Sequence, residues 1–96
     1  MSPSNKKKLE VIRNKLDKLD NSLIKIIKKR TDLVKKVLKL KKTKNEIVDN
    51  IRIKKILSNI RKKSINNNID PKITKRIWLN MIRAYIDFEK RNFKKK

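Results

Sequence analysis

Between Leu16 and Val37 the chain carries apolar residues at three- and four-residue steps: Leu16, Leu19, Leu23, Ile27, then Val34 and Val37. No glycine or proline interrupts the run, so a period of 3.6 reads as one long helix. Ser2 and Pro3 supply an N-cap and first-turn pair, and the pattern extends from about residue 4 to about residue 42. Such a helix would be about 58 Å long. What remains of a 96-residue chain is too small to cover it, so the apolar stripe requires a second copy of the protein. The expected architecture is all-α: three helices (long helix 1, short helix 2, medium helix 3) in an intertwined homodimer. Residues 1–96 are expected to form one domain, with residues 1–5 and 94–96 as frayed tails.

Two cations, Arg30 and Lys41, occupy slots of this stripe that the pattern reserves for aliphatic side chains. Eleven residues of helix return to within roughly 20° of the same direction after a rise of about 16 Å, so the two point the same way. Burying a cation is costly unless an anion meets it. Only nine acidic residues stand against 31 Lys and Arg. The pair therefore implies a ligand that carries negative charge.

Cys and His are both absent, which removes disulfides, thiolate or imidazole metal sites, and every catalytic triad or cysteine nucleophile. A net charge of +22 suggests nucleic acid or an anionic membrane surface. However, the excess of Lys over Arg, the many Ile and Asn residues and the lack of Gly together look like drift towards A- and T-rich codons. The Lys residues are also spread over the whole chain, so nucleic-acid binding is the less favoured reading. No apolar run approaches the roughly 20 residues that span a bilayer, and MSPSNKKKLE lacks the apolar region of a signal peptide. A soluble, cytoplasmic protein is expected.

KKTKNE breaks the period and reads as a loop. Helix 2 is expected from about Asp49 to Lys63, with Ile53, Ile56, Leu57 and Ile60 facing inward. The Asn residues of SINNNID tolerate left-handed conformations, and Asp70 and Pro71 start helix 3, which runs to about Phe93. Its inward residues are Ile73, Ile77, Trp78, Met81, Ile82, Tyr85 and Ile86, and Glu89 falls on the same stripe.

With these elements in place, the chain resembles the all-helical (type II) chorismate mutase family, from about Leu9 to Phe93. The most specific part is a basic triplet: Arg13 in VIRNKLDKLD, Arg30 seventeen residues on in IKKRTDLV, and Lys41 eleven residues later in VLKLKK. Seventeen residues amount to roughly 260° of net rotation, so Arg13 faces away from the Arg30 and Lys41 direction. In the family the equivalent Arg crosses the dimer interface into the partner's site. Arg13 would otherwise be an ordinary surface cation.

The resemblance implies a substrate with two carboxylates, chorismate, rearranged to prephenate without nucleophile, metal or redox cofactor. Such an enzyme holds the reactive conformer and places positive charge where the ether oxygen becomes negative. Arg13 and Arg30 would clamp the carboxylates through their planar forks, and Lys41 would reach the ether oxygen. Asp49, Arg52, Ile53, Ile82, Tyr85 and Glu89 would complete the pocket, with Arg52 as readily an exposed helix cation. Without substrate, Arg13, Arg30 and Lys41 are expected to be close together and unpaired.

Two positions depart from the best-known pattern. Glu89 stands where many members carry Gln, and a carboxylate aimed at a developing oxyanion would repel it. Glu89 is therefore expected to work protonated, among Trp78, Ile82 and Tyr85, with an ion pair to Lys41 as the other reading. Ile53 stands where many members have a Glu that binds the ring hydroxyl, so recognition of that hydroxyl should weaken. An aliphatic residue here resembles the isochorismate pyruvate lyase branch, which releases salicylate and pyruvate. Chorismate mutase is the first expectation, serving aromatic amino acid biosynthesis, and the lyase is the second. A non-enzymatic basic helical protein that binds nucleic acid is the outside possibility.

Overall fold

The computed structural model describes residues 1–95, and among them the structure is all-helical, with no strand. Three α-helices and one short 3-10 turn follow in order: α1 Pro3–Leu40, the 3-10 turn Lys44–Glu46, α2 Asn50–Asn66 and α3 Pro71–Asn92. Internal packing divides the chain into two compact units, Met1–Leu33 and a second beginning at Val34.

The first unit is the N-terminal part of α1. Ser2 Oγ accepts the Asn5 amide at 3.1 Å, which satisfies one of the donors a helix start leaves open. The helix thus begins at Pro3, and residues 3–5, expected within a tail, form its first turn. No residue of α1 is buried, and Leu16, Leu19, Leu23 and Ile27 are all exposed. The apolar stripe is present but uncovered in a single chain.

α1 ends at Leu40, short of the expected residue 42. The Lys41 amide bonds the Leu38 carbonyl at 3.2 Å, tightening the last turn. The Lys42 amide is then captured by Glu46 Oε2 at 2.9 Å, which draws the chain out of helical register. The expected loop over KKTKNE therefore contains a helical turn, and Ile47 behind it is 3% exposed, the most buried apolar residue described.

Within the second unit α2 packs against α3. Asp49 Oδ1 accepts the Arg52 amide at 3.0 Å and caps α2; Asp70 Oδ1 accepts the Lys72 amide at 2.9 Å and caps α3 with Pro71 in its first turn. α2 continues to Asn66, three residues past the expected end. Its closure is a Schellman turn: Asn68 adopts φ 56°, its amide bonds the Ile65 carbonyl, and the Ile69 amide reaches back to the Ser64 carbonyl at 2.9 Å. A chain without glycine uses asparagine for the left-handed residue.

Ile53, Ile56, Leu57 and Ile60 are half-buried on α2, as expected. On α3 the inward face differs from expectation at its start. Ile73 and Ile77 are exposed, and Thr74 is buried instead, one helical step of about 100° away. The reason is a hydroxyl contact: Ser64 Oγ and Thr74 Oγ1 share a 2.6 Å hydrogen bond between the two helices. Ser64 also meets the Ile60 carbonyl at 2.6 Å and Thr74 the Pro71 carbonyl at 3.3 Å, so these buried oxygens are satisfied. Thr74→Val is expected to destabilise the fold by about 1–2 kcal/mol by stripping this pairing. Urea denaturation checks it: the midpoint should fall with the slope unchanged.

Candidate functional site

Of the nine residues expected to form the site, the second unit holds seven, and the side chains of two of these are in direct contact. Lys41 Nζ donates to Glu89 Oε1 at 3.1 Å, joining the residue after α1 to the last turns of α3 across 48 positions of sequence. Both side chains are largely withdrawn from water, 17% exposed for Lys41 and 8% for Glu89. The α3 pattern puts Glu89 there: Ile82, Tyr85 and Glu89 recur at three- and four-residue steps, with Ile82 and Glu89 buried and Tyr85 half-buried.

A charged pair removed from water persists when each member meets the other in good geometry. Lys41 was expected to be unpaired in the absence of substrate, and this is corrected: Glu89 is its partner. The contact also matches the second reading of Glu89, an ion pair with Lys41. Chemically, the two groups converge on one point. An acceptor oxygen arriving there can be met by the ammonium.

The remaining residues of this unit lie at the start of α2. Asp49 commits one carboxylate oxygen to the cap, Arg52 is exposed, and Ile53 is half-buried on the inward face. Ile47, which no sequence pattern singled out, anchors the segment immediately before Asp49. The only hint was an apolar Ile–Val pair inside a polar stretch. In the first unit, Arg13 is exposed and pairs with Glu10 at 3.3 Å, and Arg30 is half-buried.

The family comparison covers all of these positions. The model of chorismate mutase type II matches residues 12–90, more than four-fifths of the chain, and every expected site residue from Arg13 to Glu89 falls inside the match. The chain belongs to the chorismate mutase type II family, an all-helical family of isomerases. Membership supports chorismate mutase activity, with chorismate as substrate. Nothing found favours the lyase or the non-enzymatic alternative. No curated protein and no solved structure matches the chain. Among the described residues, no helix is long and apolar enough to cross a membrane.

Proposed function

We propose that the chain converts chorismate to prephenate in a pocket centred on Lys41 and Glu89, with Arg30 binding a substrate carboxylate and Arg13 supplied by the partner of a homodimer. The observation that supports it best is the buried Lys41–Glu89 contact, formed by two of the residues to which the family resemblance assigns chemistry. The rearrangement is a concerted shift in which the ether C–O bond breaks as a C–C bond forms, so the ether oxygen gains negative charge. Lys41 meets that charge in a site where water is scarce and Coulomb attraction is correspondingly stronger. Arg30 fixes the compact conformer by holding a carboxylate through its fork. Asp49 and Arg52 stand at the α2 end of the pocket, and Ile53, Ile82 and Tyr85 supply its apolar wall.

The uncovered stripe supports a homodimer. Leu16, Leu19 and Leu23 are each more than half exposed in one chain, and a second copy of α1 carries the complementary surface. Arg13, exposed on the same helix, is then available to the neighbouring protomer's site. Residues 1–96 form the working domain, acting in the cytoplasm.

Glu89 has two states in this scheme. Without substrate its carboxylate balances Lys41; in the reaction it acts as the neutral acid. The protonated acid then donates to the ether oxygen beside Lys41. Glu89→Gln, a neutral donor of the same shape, should keep activity. An activity loss in that variant would show that the negative charge itself is needed. The reaction is tested with the purified chain and chorismate, following chorismate absorbance and prephenate formation.

A further inference from the structure

A second concave surface lies in the same unit, away from Lys41 and Glu89. It is a groove of about 390 Å³ between α2 and α3, lined by Lys54, Leu57, Ser58 and Arg61 from one helix and Pro71 and Lys75 from the other. That size is within the range of small-molecule sites. The four α2 residues recur at i, i+3, i+4 and i+7, a single stripe, so their side chains share one face. Lys54 and Arg61 stand about 10 Å apart along α2, and Lys75 approaches from the opposite wall. Lys75 is about 21 Å along α3 from Glu89, at the other end of the hairpin.

The cations of this groove have no internal counter-charge. Residues 50–86 contain ten Lys and Arg and one acid, Asp70. Each of the five carboxylates after Lys41 is already engaged: Glu46 with the Lys42 amide, Asp49 and Asp70 as helix caps, Asp87 with Arg91 at 3.0 Å, and Glu89 with Lys41. Among the described residues, none forms an ion pair with Lys54, Arg61 or Lys75. Codon drift accounts for many lysines. Here Lys54, Arg61 and Lys75 line one concave surface together with the apolar Leu57 and Pro71.

We propose that this groove is a binding site for an organic phosphate carrying at least two anionic groups. Arg61 takes one group through its planar fork, Lys54 and Lys75 take the second, the Ser58 hydroxyl donates between them, and the apolar part of the ligand lies on Leu57 and Pro71. The site is separate from the substrate pocket and uses none of its residues.

Calorimetric titration of the full chain with ADP and with pyrophosphate, at 150 mM NaCl, tests this. Both ligands should bind, ADP the tighter because it also covers the apolar floor. The triple variant Lys54→Gln, Arg61→Gln, Lys75→Gln should lose about tenfold or more in ADP affinity. A control removing equal charge elsewhere, Lys6→Gln, Lys7→Gln, Lys8→Gln, should lose less than about twofold, and Arg30→Ala should bind ADP like the wild type. Circular dichroism confirms that each variant is folded, and Arg61→Gln alone serves if the triple is not. Equal weakening in the groove and control triples, loss of ADP binding in Arg30→Ala, or no binding to the wild-type chain would each overturn the site.

Discussion

Replacing Arg30 with alanine should reduce kcat/KM for chorismate by on the order of 100-fold or more while leaving the helical content of the protein intact. A bidentate guanidinium–carboxylate contact comprises two charge-assisted hydrogen bonds of roughly 1.5–3 kcal/mol each, and about 1.4 kcal/mol corresponds to a factor of ten. Alanine keeps the helix, since it has the highest helix propensity of any residue. Arg30 is half-buried at a position where the stripe otherwise carries Leu, Ile or Val, so a purely structural role predicts a different outcome. Alanine there would then lower the melting temperature and leave the kinetics of the folded fraction unchanged. Steady-state assays beside circular dichroism separate the two. A Lys at the same position should restore only part of the activity, because a point charge cannot reproduce the planar fork.

The second large effect is expected at Lys41. Lys41→Met preserves the apolar stem and deletes the ammonium, removing the charge that meets the breaking ether oxygen. Loss of one such donor from a preorganised site lowers kcat by roughly 100- to 1,000-fold. The change also leaves the Glu89 carboxyl without its partner in surroundings where its side chain is 8% exposed. Removing one member of a buried pair destabilises by about 3–5 kcal/mol. Lys41→Met should therefore be both slow and less stable. The paired change Lys41→Met with Glu89→Gln tests the coupling. It should recover much of the lost stability and none of the activity. Thermal melts and single-turnover rates provide the two readouts.

How much of this was legible in the sequence differs from element to element for physical reasons. α1 was plain, because 38 residues of one period with no glycine or interior proline leave a helix as the only regular solution. Its end at Leu40 was not, because it depends on Glu46 capturing the Lys42 amide, a side-chain contact that periodicity does not encode. The caps at Asp49 and Asp70 were readable from residue type and from the proline behind Asp70. The α3 face was misread at Ile73 and Ile77 because hydropathy ranks isoleucine above threonine. The choice of Thr74 reflects a pairing with Ser64 that exists only after α2 and α3 meet. For the site, the spacing of Arg13, Arg30 and Lys41 and the position of Glu89 on an apolar stripe were visible in the chain. The Lys41–Glu89 bond was visible only as one of two readings, since 48 residues separate the partners and only packing brings them within 3.1 Å.

The most direct test of the central claim is to incubate the purified chain separately with chorismate and with isochorismate and to identify the products. Prephenate from chorismate, with no salicylate or pyruvate from isochorismate and with turnover lost in Arg30→Ala, is the predicted result. Salicylate from isochorismate without conversion of chorismate, or turnover of neither by a folded protein, would contradict it.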